Sequence, residues 1–266
     1  MFSTVRGWLF DVYPSTKGVT LWIIDDDGKA HSYFRKYTPS FFLHMNDADA
    51  RRVDALGARC PVPVSLTRTT RKEIYSGEPW DVVQVHVHDT MRFKEAVWYF
   101  ERFFPHFAFY NSDILVAQSF FYETQLFPLG LGEYEIDEAG ELVRWKLNDT
   151  RDATDYELPP LSVMSLRNAN DFVPPKYQKH FQLEIAYDGA TYLLEQQHPV
   201  EVLEAFNWHL HRCDPDVLVT EYGDSHLMPT LAALAQQHHI PLLLNRDPAA
   251  GYMTTKESSF FQYGKI

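Results

Sequence analysis

The acidic stretch Glu133 to Glu157 and the prolines Pro159-Pro160 that it reaches separate two different hydrophobic patterns. Adjacent prolines remove two backbone donors and fit neither a helix interior nor a central strand. Before them, short runs rich in β-branched and aromatic residues alternate with turn signals. After them, strand-like and helix-like segments alternate. A break of this kind predicts two domains, and 266 residues is enough for two at about 100–200 residues each.

The first half reads as strands at Val5 to Val12, Val19 to Ile24, His31 to Tyr37, Phe41 to His44, Val62 to Thr67 and Val82 to Val87. Asp25-Asp26-Asp27-Gly28 is a turn signal. Asn46 or Asp47 is placed to cap a short helix running to Leu56. Phe93, Val97, Phe100 and Phe104 recur at helical spacing, which predicts a helix with an aromatic core face. Strands followed by a helix and another strand describe an α+β domain over residues 1–132.

Residues 133–158 carry Glu133, Glu135, Asp137, Glu138, Glu141, Asp149, Asp152, Asp155 and Glu157 against Arg144, Lys146 and Arg151. Asp137-Glu138-Ala139-Gly140 looks like a turn between two short strands. The segment reads as an acidic, solvated connector. From residue 159 to 266 the order is three strands (Leu161 to Leu166, Phe181 to Tyr187, Thr191 to Leu194), a helix opened by Pro199, a strand at Asp216 to Val219, a helix at Leu227 to Gln237, and a strand at Ile240 to Leu244. That order predicts an α/β mixed sheet.

The chain holds 24 basic and 36 acidic residues, a formal net charge of −12. Such a balance argues against non-specific coating of nucleic acid, which clustered Lys and Arg drive. DNA contact needs only a local basic face. Cys60 and Cys213 are too few for a disulfide framework and read as thiols in a reducing compartment. The opening MFSTVRGWLFDVYP lacks a long apolar core and a small-residue cleavage site, and no run approaches about 18 apolar residues. The expectation is a cytoplasmic protein with no membrane span.

Several segments resemble B-family DNA polymerases in that family's order. Tyr110-Asn111-Ser112-Asp113-Ile114, Phe121-Tyr122-Glu123 and Leu126-Phe127-Pro128-Leu129 are similar to the end of the N-terminal domain. Pro159-Pro160-Leu161-Ser162-Val163-Met164-Ser165-Leu166 resembles the first strand of the 3′–5′ exonuclease domain. Asp214-Pro215-Asp216-Val217-Leu218-Val219, Ile240-Pro241-Leu242-Leu243-Leu244-Asn245-Arg246-Asp247 and Phe261-Gln262-Tyr263-Gly264 fit later parts of it. The resemblance implies an N-terminal α+β domain followed by a ribonuclease-H-like exonuclease-type domain that stops before its third motif. Palm, fingers and thumb would lie outside this chain.

The departures bear on function. In the family, Asp-x-Glu follows the first exonuclease strand, where this chain has Arg167 and Ala169. At the second motif, Tyr222, His226 and Leu227 stand where the family has Asn, Phe and Asp, and only Pro229 is retained. Two-metal cleavage holds its ions about 4 Å apart, and Mg²⁺ requires oxygen ligands, mainly carboxylates. Arg, Ala and Leu supply none. The expectation is an inactivated exonuclease with no metal or cofactor in this fragment, while Mg²⁺ is implied for the parent polymerase. Asp171, Glu184 and Asp224 are nearby acids that a displaced metal site would need; as ordinary surface acids they need no further account.

Arg167 is a candidate for pairing directly with a DNA phosphate. Arg68, Arg71 and Lys72, beside Tyr75 and Gly77, are the densest basic cluster and suit single-stranded DNA, although a solvated loop would look the same. His209 and Cys213 share a helix face without a second ligand pair, and His86 and His88 alternate on a strand. His238-His239 suits a helix C-terminus. The leading expectation is an N-terminal fragment of a B-family-like DNA polymerase: a non-catalytic scaffold whose partners are DNA, bound weakly in isolation, and the remaining polymerase domains. The alternatives are a stand-alone nucleic-acid-binding or protein-interaction module derived from such a polymerase, and a nuclease with relocated metal ligands.

Overall fold

A computed structural model describes residues 2–44, 49–155, 157–169, 182–194 and 198–246. The chain divides into two units, Met1–Pro160 and Leu161–Ile266.

The first unit begins with a meander of β1 (Ser3–Ser15), β2 (Gly18–Asp25) and β3 (Ala30–Lys36). Asp25 shapes the expected turn. Its carboxylate accepts the Asp27 and Lys29 backbone N–H groups at 3.0 and 2.8 Å, and Gly28 takes φ +77°.

Next comes β4 (Ser40–His44), α1 (Ala50–Gly57), β5 (Val64–Lys72), β6 (Pro79–Val87), α2 (Phe93–Phe103) and β7 (Ala108–Tyr110). This is a βαββαβ unit with strand order β5-β6-β4-β7, which puts β4 and β6 in the centre. Both helices cover one face. The Tyr99 hydroxyl on α2 donates to the Leu56 carbonyl on α1 at 3.5 Å. Beneath them Phe41, fully buried, meets Phe93 and Phe100 edge-on at 5.9 and 5.7 Å. The predicted aromatic helix face is therefore core. Asn46 and Asp47, expected as caps, lie outside the described residues.

After α3 (Val116–Thr124), β8 (Leu131–Ile136) and β9 (Leu142–Leu147) pair with β1, giving the sheet β3-β2-β1-β8-β9. Its two edges also meet. The Phe34 N–H donates to Gly140 O at 3.2 Å, and Arg35 donates to Leu142 O at 2.9 Å. Here the structure departs from the acidic connector read from residues 133–158. That hairpin closes the first unit, and the division falls after Pro160. Tyr134, Ile136 and Leu142 are buried while Glu133 is exposed, so an acidic composition overlies an alternating strand.

The second unit contains β10 (Val163–Asn168), β11 (Leu183–Tyr187), β12 (Ala190–Leu194), α4 (Pro199–Cys213), β13 (Val217–Thr220) and α5 (Met228–His238). The strand order is β12-β11-β10-β13. The first three are antiparallel and β13 runs parallel to β10. This mixed sheet agrees with the ribonuclease-H-like expectation. A strand at Ile240 to Leu244 does not form. Pro241 has no N–H to pair, and the Asn207 side chain takes the local backbone groups instead, donating to Pro241 O at 2.6 Å and accepting from Leu243 N at 2.9 Å. Among the described residues, no helix is long and apolar enough to cross a membrane.

Candidate nucleic-acid interface

The basic cluster predicted for a loop sits on a strand. Thr67, Thr69 and Thr70 are β-branched, and β5 runs on to Lys72 opposite Pro79. Alternation then separates the three cations. Arg68 points to the helix-covered side and bonds Asp54 on α1 at 3.0 Å. Arg71 points to the opposite face, and Lys72 follows at the strand end. Arg71 donates to the Thr69 hydroxyl at 3.3 Å and lies 5.6 Å from the Phe42 ring centre.

Among the described residues, that opposite face carries no helix. Phe42 and His44 of β4, Trp80 and Gln84 of β6 and Tyr110 of β7 share it. Trp80 meets His44 at 4.2 Å and Tyr110 at 6.3 Å between ring centres. All four rings are half-buried. Gln84 donates to the Ser40 hydroxyl at 2.8 Å, which adds a polar margin. In the turn after β5, Tyr75 is 93% exposed. The Glu73 carboxylate there accepts the Tyr75 and Ser76 N–H groups at 2.9 and 2.7 Å. Burial, then the nearby Glu73 and Tyr75, raise the Tyr110 phenol above its usual pKa. Sequence reading took Phe41 to His44 and Val82 to Val87 as strands and missed this aromatic group. The available signal was apolar residues on both faces of Phe41-Phe42-Leu43, which a half-covered antiparallel strand does not require.

In the second unit, Arg167 and Ala169 come at the end of β10. Arg167 sits opposite Glu184 on β11, with Nε and Nη2 2.7 and 2.6 Å from one carboxylate oxygen. Leu227 is 1% exposed and packs in the core with Leu203, Phe206 and Leu231. These positions offer no oxygen ligand and do not fit a two-metal site. Asp171 and the side chain of Asp224 lie outside the described residues. Among the described residues, no group of three or more His, Cys, Asp or Glu side chains is placed to hold a metal ion.

Of the other histidines singled out from the sequence, His209 is held by aromatic packing. His209 is 8% exposed between the Tyr192 and Trp208 rings, at 4.7 and 4.8 Å. Burial, then Arg212, lowers its pKa. Cys213 packs beside the core. His88 bonds the Ser65 hydroxyl at 3.0 Å. His239 caps α5 in the left-handed conformation at φ +56°.

No protein-family model matches the chain. No curated protein matches it. Among solved structures, the chain is similar to the family B DNA polymerase from the hyperthermophilic archaeon Pyrobaculum calidifontis, at 20% identity, with a TM-score of 0.72 over 91% of this chain. The likeness covers 33% of that polymerase's chain, so this chain spans about a third of it. The fold is therefore that of part of a B-family DNA polymerase, consistent with an N-terminal domain and an exonuclease-like domain.

Proposed function

We propose that this chain is the N-terminal portion of a B-family-like DNA-directed DNA polymerase and serves there as a non-catalytic, DNA-contacting scaffold with an inactivated exonuclease unit. The observation that carries the reading is the end of β10. A ribonuclease-H-like sheet presents Arg167 and Ala169 where the resemblance expects carboxylates, and Arg167 is bonded to the acid opposite, Glu184. A guanidinium at that place repels a divalent cation and occupies a carboxylate that could help bind one. Template-directed synthesis would belong to domains outside this chain and would use Mg²⁺. Within this chain the residues' work is to bind and position DNA and the remaining polymerase domains.

Two measurements test this. Labelled single-stranded DNA is incubated with the protein and Mg²⁺ or Mn²⁺, and no degradation is expected; protein-dependent, chelator-sensitive loss of label would favour relocated ligands. The reading frame beyond Ile266 is sequenced, and a palm domain with paired aspartates is expected. A frame without one would favour a stand-alone binding or interaction module.

A further inference from the structure

We infer that the helix-free face of the β5-β6-β4-β7 sheet is a platform for single-stranded DNA, with bases stacked on Trp80, His44, Phe42 and Tyr110 and a phosphate held by Arg71. The platform rests on the polymerase reading above, which makes DNA the strand presented to it.

Topology is the first support. In a βαββαβ unit both helices lie on one face, which leaves the opposite face of the two central strands without a helix among the described residues; there the rings of Phe42, His44 and Trp80 are half-buried, and Val82 and Ser40 between them are 6% exposed. Four-stranded sheets that bind single-stranded nucleic acid stack bases on aromatic side chains projecting from such a face. Here Phe42 and His44 lie on one central strand and Trp80 on the other, with Tyr110 on the neighbouring edge strand. The Trp80 ring lies 4.2 Å from His44 and 6.3 Å from Tyr110, so these three are contiguous, and Phe42 sits beside them as the cross-strand partner of Tyr110.

Charge and polarity are the second support. Arg71 places its guanidinium beside Phe42 on the same face, the combination of cation and ring that suits a stacked base and its phosphate. Glu73 is the acid in the turn that acts on Tyr110, and its Oε2 already accepts two backbone N–H groups. Asp81, on the other side of β6, is bonded to the Thr70 hydroxyl at 2.8 Å. Ser40, Thr67, Thr69 and Gln84 surround the rings with hydroxyls and an amide.

The test uses the full chain and a labelled oligo(dT), read by fluorescence anisotropy at low salt. Trp80→Ala is expected to weaken binding by about tenfold, from loss of one base stack. Trp80→Phe, which keeps a ring, is expected to restore most of it. Trp98→Ala is the control, because Trp98 is 66% exposed on α2, on the helix-covered side. Circular dichroism melts verify that each variant folds. Oligo(dT) carrying iodo-deoxyuridine is then photocrosslinked, with adducts expected on β4, β6 or β7. If Trp80→Ala behaves like Trp98→Ala, or adducts fall outside those strands while binding persists, the platform is wrong and the polymerase reading survives. If no DNA binds at all, both are overturned. If oligo(rU) binds more than about tenfold tighter than oligo(dT), the assignment to DNA is overturned.

Discussion

Arg167 and Glu184 face each other across the β10–β11 ladder and share one carboxylate oxygen, 2.7 Å from Nε and 2.6 Å from Nη2. One is the residue proposed to bind phosphate and the other an acid that a relocated metal site would need. Their pairing ties the two ideas together. The cation is held by an internal anion, and the anion has a cation where a metal would have to enter.

Releasing Arg167 should therefore expose whatever affinity it has for DNA. Glu184→Gln removes the competing charge and is expected to strengthen single-stranded DNA binding about two- to threefold at low salt. Arg167→Ala in that background should remove the gain. Anisotropy titrations across salt concentration decide it; a Glu184→Gln variant with unchanged affinity and salt slope leaves Arg167 a structural residue.

Arg68 and Arg71 of the β5 strand should behave differently from one another. Arg71→Ala is expected to lower the salt slope of oligo(dT) binding by about 0.7, the loss of one single-strand phosphate contact. Arg68→Ala should leave it unchanged, because Arg68 faces α1 and bonds Asp54 at 3.0 Å. Equal effects of the two substitutions would mean that position on the sheet does not matter.

Asp216 is expected to be the most sensitive polar residue of the second unit. Its side chain is 1% exposed and accepts the Ser162 N–H at 2.8 Å, the Ser162 hydroxyl at 2.7 Å and Arg246 at 2.8 Å. Asp216→Ala should cost about 3 kcal/mol, since it leaves buried donors without an acceptor. Urea unfolding of the second unit measures this, and a cost below about 1 kcal/mol would show that Ser162 and Arg246 find other partners.

His209 should give the second unit an acid-sensitive stability. Burial, then Arg212, depresses its pKa in the folded state, so folding favours the neutral ring. The stabilisation is full above the unfolded value of about 6.5 and is lost as pH falls through the lower folded value. His209→Gln should flatten the fall in melting temperature between neutral and mildly acidic pH. An identical fall in both proteins would place the acid sensitivity elsewhere.

Much of the scaffold was legible from local chemistry. Asp25 to Gly28 announced a turn, Phe93 to Phe104 announced a helix with a core face, and Pro199 opened a helix, because each depends on neighbours in sequence. In the segment 133–158 the turn at Asp137 to Gly140 between two short strands was legible, but the strands were assigned to a connector because acidic residues alternating with Tyr134, Ile136 and Leu142 look solvated until a partner strand is present. Ile240 to Leu244 failed as a strand because Asn207, far away in sequence, supplies its hydrogen bonds. Arg68, Arg71 and Lys72 looked like one cluster because spacing along a chain does not say which strand face each residue takes.

The sequence by itself determined the two-part organisation, most of the strands and helices, and the absence of carboxylates at positions 167, 169 and 227. Those follow from side-chain identity and short-range periodicity. Only the tertiary structure decided that β8 and β9 close the first unit, that Arg167 is held by Glu184, and that Trp80, His44, Phe42 and Tyr110 share one sheet face. Strand pairing joins residues far apart in sequence, and the energies that select a pairing come from burial and cross-strand contacts that exist only once the chain has folded.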